Sequence, residues 1–318
     1  MSSSLAPSGP APGIRDDRAA DRDDPVVAAV DPLPEAVIGS LSPSRASDFK
    51  TCPLLYRFRS IDRLPERPTA DAVRGTVVHS VLEHLFELPA AQRTISAAQA
   101  DVLPSWQALI EAEPEVATLF PDGPGSAELE AWLESARGLV ANYFEVEDPQ
   151  RLEPEAREVL VEVVLDGLRL RGYIDRLDVS PAGDLRVVDY KTGAIPREAY
   201  EAKALFQMKF YALVLWRTRG VVPRQLRLIY LSAKDTLSYS PDADELARFE
   251  RTLQAIWKAV AHASLTGDFR PNPSRLCDWC SHHAFCPAKG GTPPPFPSGA
   301  LAMASAPSAT QTPVEPEL

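Results

Sequence analysis

Long apolar runs, a leader-like amino terminus, internal repeats and a nucleotide-phosphate loop are all missing from this 318-residue chain. Without a run of roughly 20 apolar residues a helix cannot span a bilayer, so no helical membrane span is expected. Residues 1–24, MSSSLAPSGPAPGIRDDRAADRDD, offer neither a basic n-region nor an apolar h-region. A secretory signal is therefore not expected, and a cytoplasmic location follows by default. The pattern G-x-x-x-x-G-K-S/T does not occur, which excludes a helicase motor built into this chain. Cysteine is scarce, with four residues in all.

What is present is ordinary for a globular protein, with 45% hydrophobic and 24% charged residues. The net charge of −11 argues at first against a nucleic-acid partner, but its distribution matters more than its sum. Glu83 to Asp166 holds 18 acidic residues against 4 basic ones. Lys203 to Lys289 holds 13 basic against 7 acidic, and Arg45 to Arg74 holds 7 against 4. Such charges most simply decorate solvated helix faces; the pattern permits a basic groove without showing one.

Residues 1–38 are rich in Pro, Ala, Ser, Asp and Arg without apolar periodicity, and the Pro-rich residues 290–318 read the same way. Both are expected to be disordered tails around a folded domain at 39–289. Within it, Ser42 or Ser44 caps a short helix, and a second helix over Ala70 to Leu88 carries Val78, Val81, Leu82 and Leu85 on one stripe. Residues 95–156 read as a helical, acidic insertion. The period then changes to that of strands: one from Glu158 to Leu165, a second (LRLRGYIDRLDV) after a turn at Gly167, and a third (LRVVDYK) after Ser180–Asp184. A mostly apolar helix over Tyr200 to Thr218, a strand over Arg224 to Ser232 and an amphipathic helix over Asp242 to Leu265 precede a Cys-rich segment at 270–289. The order α-β-β-β-α-β implies an α/β fold with a mixed central sheet flanked by helices.

Chemistry concentrates in GYIDRLDV (172–179) and VVDYKTG (187–193). Asp189 and Lys191 are two apart on a strand and leave the same face, with Asp175 on the neighbouring strand of the hairpin. Two carboxylates and an ammonium at one point suit a hard divalent cation such as Mg²⁺ or Mn²⁺. An isolated D-x-K would more simply be a surface ion pair, but Val187, Val188 and Tyr190 make this strand core-like, and charges seldom enter a core without a partner. His79 and Glu83 are i, i+4 neighbours at the edge of an apolar stripe, and so are Gln207 and Tyr211 in an apolar helix. Each of those pairs alone would be read as structural.

In order, G-x-x-x-H (75–79), G-x-x-D-R (172–176), D-Y-K-T-G (189–193) and Q-x-x-x-Y (207–211) resemble the motifs of the RecB-like branch of the PD-(D/E)XK nuclease superfamily. Each motif is weak alone; four in order carry the resemblance over nearly the whole folded part. It implies that His79, Asp175 and Asp189 ligate the metal, with the Tyr190 carbonyl as a further ligand. Lys191 would be the catalytic lysine acting with Asp175 and Asp189, while Gln207 and Tyr211 would contact DNA. Asp178 is left outside the metal's ligands.

Cys52 and the C-x2-C-x5-C array of Cys277, Cys280 and Cys286 account for every cysteine. In a cytoplasmic chain such an array reads as metal binding. Spacing alone fits zinc as well as iron–sulfur, and His282 or His283 could replace a cysteine at zinc. One early cysteine followed by this array resembles the iron-staple nucleases, among them CRISPR-associated exonucleases, and implies a structural 4Fe–4S cluster. The expected function is a metal-dependent DNA exonuclease acting on single-stranded ends in repair or recombination, with a helicase partner to be considered. The competing readings are a non-catalytic DNA-binding or scaffolding subunit and a zinc protein with four cysteine ligands.

Overall fold

The structure, a computed structural model, describes residues 39–194 and 198–307. The tail expected at 1–38 lies outside the described residues, as does the end of the chain from residue 308. Among the described residues no helix is long and apolar enough to cross a membrane.

A six-stranded mixed sheet forms the middle layer. The hairpin of β2 (Ala156–Leu165) and β3 (Leu168–Val179) closes on Asp166 and Gly167, both at positive φ (48° and 78°). That is the geometry a two-residue hairpin turn requires, and an Asp-Gly pair supplies it. β3 is the hub. One edge pairs with β2 along most of its length, while the other is shared by two strands. Its first residues run parallel to β1 (Gly39–Leu41), and its last run antiparallel to β4 (Leu185–Lys191). Between Leu170 and Arg176 neither strand pairs with it, among the described residues. The sheet continues from β4 to a parallel β5 (Gln225–Tyr230) and an antiparallel β6 (Asp235–Tyr239).

Helices cover both faces. On one side lie α1 (Pro43–Thr51), α2 (Pro53–Tyr56), α6 (Glu198–Arg219) and α7 (Ala243–Thr266), packed on Val187, Leu226 and Leu228. The other side has α3 (Ala70–Leu85), α4 (Ile95–Ala112) and α5 (Ala127–Val146), packed on Val188, Tyr190 and Ile229. Alternation along β4 thus divides the core in two, as period-2 side-chain placement demands. Local chemistry sets the helix ends: Ser42 accepts the Arg45 N–H, Thr69 that of Ala72, and Asp242 that of Glu245. α7 stops at Gly267, whose φ of 77° ends the helix in the left-handed region. The mixed α/β sandwich agrees with the expected fold class. Two strands were not expected: β1, only three residues long, and β6, whose DTLSY carries little apolar signal.

The segment from Gly290 departs from expectation. Its composition predicts a disordered tail, yet residues 290–307 pack on the domain and include a short helix, α8 (Ala300–Ser305). Ala300 and Ala304 are buried. The guanidinium of Arg45, itself buried, donates to the carbonyls of Ala304 (2.5 Å) and Ala306 (2.8 Å), and that of Arg57 donates to the carbonyl of Pro294 (2.5 Å). Phe296 lies against Arg57 and Phe269. Small residues pack without leaving an apolar pattern in the sequence, and the arginines that hold them are 237 to 261 positions away. A chain ending at Lys289 should therefore melt at lower temperature than the full chain. Each buried guanidinium loses its carbonyl partners, at about 1–3 kcal/mol apiece, and a thermal melt of the two proteins measures the difference.

Candidate active site

The site forms where β3 and β4 part. Their ladder ends at the pair Arg176–Val188, one residue short of Asp175 and Asp189. There the Tyr190 N–H donates to Asp175 Oδ2 (2.8 Å), so a side chain takes the bond. Because the strands separate, groups from both helical layers reach the gap. From α3, His79 brings Nε2 to 2.9 Å from the Tyr190 carbonyl, and Nδ1 to 3.5 Å from Asp175. From α6, the Gln207 amide donates to Asp189 Oδ1 (3.1 Å) and accepts from Lys191 Nζ (3.4 Å). Lys191 lies 2.8 Å from Asp189 Oδ2, as two residues on one strand face should.

These groups are withdrawn from water: Asp189, Asp175 and His79 are 1%, 6% and 8% exposed. Burial, followed by repulsion from Asp189, pushes the Asp175 carboxyl well above the usual carboxylate range; His79 and Lys191 pull the other way. Two carboxylates held this close in a poorly solvated place raise each other's cost of ionisation, and a cation relieves it. Carboxylates, an imidazole and a backbone carbonyl are ligands suited to a divalent cation. The ligand atoms of His79, Asp175 and a third residue, Glu158 on β2, all lie within 4.8 Å of one another. The set fits a metal ion. Glu158 was expected only as the start of a strand.

Other expected residues fall as follows. Glu83 is half-buried and its carboxyl is pushed up by burial and then by Glu158, while His79 turns toward Tyr190 and Asp175. Tyr211 is 5% exposed, and its hydroxyl accepts from the Gln207 amide (3.1 Å). It stands behind Gln207 instead of on an open surface, and its hydroxyl supports the Gln207 amide. Its ring lies across β3 where that strand lacks a neighbour: a Cβ on Gly172 would come within 2.7 Å of Tyr211 and 3.3 Å of Pro43. Asp178 belongs to a network below the site. Arg176, fully buried, donates to Asp178, Glu147 and the hydroxyls of Tyr143 and Tyr190. This network ties α5 to the residue whose carbonyl faces His79. Three basic residues of the segment at 203–289, Arg219, Arg227 and Lys234, pair with Glu155, Glu147 and Glu145 of the acidic stretch.

The four cysteines meet at the other end of the chain's course. Cys52, between α1 and α2, and Cys277, Cys280 and Cys286, in short turns after α7, line one cavity of about 60 Å³. The Asn272 N–H donates to Cys52 Sγ and the Ser274 N–H to Cys277 Sγ, both at 3.3 Å. Burial pushes the Cys280 thiol up. The two histidines considered as alternative ligands differ. The His282 side chain is buried and bonds to Glu66 (2.7 Å), whereas His283 lines the cavity and faces the Cys277 carbonyl. Burial alone would raise Glu66, but its bonds to His282 and Arg59 prevail and hold it at about 2.

A model of the PD-(D/E)XK nuclease superfamily matches residues 40–287. The gene 69 protein of Mycobacterium phage L5 is 27% identical, the match covering 77% of this chain and 95% of that protein. The gene 69 protein of Mycobacterium phage D29 is 30% identical over 77% of this chain and 96% of its own length. Among solved structures, a proposed exonuclease from Eubacterium rectale superposes with a TM-score of 0.51 at 14% identity, covering 77% of this chain and 88% of that one. That likeness is one of fold.

The close approach at Gly172 can be tested directly. Gly172→Ala should cost about 1–3 kcal/mol through overpacking, and the cost should shrink when Tyr211→Ala is made in the same chain. Urea melts of the single and double variants give the coupling.

Proposed function

The chain belongs to the PD-(D/E)XK nuclease superfamily, and on that premise we propose that it is a Mg²⁺- or Mn²⁺-dependent deoxyribonuclease of the RecB-like kind. The observation that carries the reading is the convergence of Asp175, Asp189, Lys191, His79 and the Tyr190 carbonyl at the parting of β3 and β4. Asp175, Asp189, His79 and the Tyr190 carbonyl would hold the divalent cation. When bound, such an ion polarises a phosphoryl oxygen and lowers the pKa of a water. Lys191, 2.8 Å from Asp189, supplies a fixed positive charge beside the reacting phosphate. In hydrolysis the water oxygen attacks phosphorus, the opposite P–O ester bond breaks, and the departing alkoxide takes up a proton. Negative charge grows on the non-bridging oxygens meanwhile, and an ammonium already in place stabilises it without reorganisation. Gln207 holds both Asp189 and Lys191 in register, and with Tyr211 behind it forms the pair assigned to DNA contact near the site.

The finer reading is an exonuclease that acts on single-stranded ends in DNA repair or recombination. It is supported by the motif order and by the exonuclease proposed for the Eubacterium rectale protein of similar fold. The absence of a motor motif leaves unwinding to a helicase partner. Residues 39–289 are read as the nuclease domain, and 95–156 as its helical insertion.

A structural 4Fe–4S cluster on Cys52, Cys277, Cys280 and Cys286 completes the proposal. Its support is the shared cavity, the backbone N–H groups on two of the sulfurs and the commitment of His282 to Glu66. The cluster would contribute electrostatics and cross-linking only, clipping the start of the domain to its end.

Two experiments test these assignments. Asp189→Ala and Lys191→Ala should each lower cleavage of end-labelled single-stranded DNA by roughly 10²- to 10³-fold, the cost of one lost electrostatic stabiliser, while circular dichroism shows the fold intact. Near-normal turnover by either variant would remove its residue from the chemistry. Anaerobically purified protein should be brown with about four iron atoms per chain, and Cys52→Ala should lose the colour and melt earlier. Colourless protein with stoichiometric zinc would make the thiol site a zinc centre.

A further inference from the structure

Glu158 is held beside the site by a distortion of its own strand. The Asp166–Gly167 turn sets Leu165 opposite Leu168, and the β2–β3 ladder then includes Arg157–Arg176 and Val159–Ile174. The register position between those pairs puts Glu158 opposite Asp175. On the far side of β3, the ladder to β4 stops one step short of Asp175 and Asp189. Three carboxylates thus occupy one line across three neighbouring strands, where both ladders are interrupted. At Glu158 the backbone takes a φ of 40° inside a strand that is regular on either side. Side chains with a Cβ avoid that region. The bend brings Glu158 Oε1 to 3.7 Å from His79 Nδ1, the nitrogen that also faces Asp175 at 3.5 Å.

We infer that Glu158 is a further ligand of the divalent cation, reaching it from β2 together with His79 and Asp175. The inference rests on the metal-centre reading proposed above and adds a residue to it. Position supports the assignment. β2 pairs with β3 alone among the described strands, and the Glu158 side chain keeps 21% of its surface exposed while that of Asp175 keeps 4%. Glu158 therefore stands on the open side of the cluster, where a hydrated ion would enter.

The test is Mn²⁺ binding to the full-length protein, followed by electron paramagnetic resonance of the unbound ion, together with thermal melts in its absence. Glu158→Gln should weaken Mn²⁺ affinity about tenfold or more, since even residues that only orient ligands cost that much. The metal-free melting temperature should hold or rise, because a like charge beside Asp175 has gone. Glu158→Gly, which suits the left-handed backbone, should melt higher still and bind Mn²⁺ as weakly. If the wild type binds Mn²⁺ and both variants match it, Glu158 is not a ligand and the metal centre stands without it. If the wild type binds no Mn²⁺, the metal-centre reading fails and this inference with it. Should Glu158→Gln melt early, the glycine variant decides alone: equal affinity overturns the assignment, and reduced affinity upholds it.

Discussion

The hydrogen bond from the Tyr190 N–H to the Asp175 carboxylate governs more of this structure than its size suggests. A backbone donor at the end of β4 is satisfied by a side chain, and the ladder between β3 and β4 ends there. Buried donors must find acceptors, so strand separation at this point requires such a side chain. The gap it leaves admits His79 from one helical layer and Gln207 from the other. The same gap leaves a stretch of β3 for the ring of Tyr211 to cover, and Gly172 makes room for that ring. A single substitution for a backbone contact thus turns a strand junction into a site.

Beneath the site, rigidity comes from a second set of buried charges. Arg176 has no exposed surface and binds Asp178, Glu147, Tyr143 and Tyr190. A buried guanidinium is tolerable only when its donors are used, and here Nε and Nη2 go to Asp178 on β3 while Nη1 reaches Tyr143, Glu147 and Tyr190. The helical stretch at 95–156 is therefore anchored to the residue whose carbonyl faces His79. At the other end of the domain the thiol cavity and the Arg45 and Arg57 contacts bring residues 271–306 back onto α1 and α2. Both ends of the fold are thereby closed on the first helices.

Much of this was legible from residue order, because the responsible signals are local. Strand periodicity across Glu158–Lys191 and the Asp-Gly turn specify the hairpin, and two-residue spacing predicts that Asp189 and Lys191 share a face. The place of Glu158 is legible in part. A two-residue turn at 166–167 determines register, and counting back from it sets Glu158 opposite Asp175; its interruption of the strand, at a φ of 40°, has no local signature. α8 was lost for a related reason. ALAMAS resembles low-complexity tail, and its burial depends on the distant Arg45.

Sequence by itself determined the class of fold, the course of the central strands and which residues carry metal-binding chemistry, since patterning and residue type act over a few positions. Tertiary structure decided how those residues meet. The ending of the β3–β4 ladder, the turning of His79 toward Tyr190 and the pairing of Lys234, Arg227 and Arg219 with Glu145, Glu147 and Glu155 all depend on residues from separate elements of the chain. No local pattern records them, because their partners are chosen by packing and by the need of every buried charge for a counterpart.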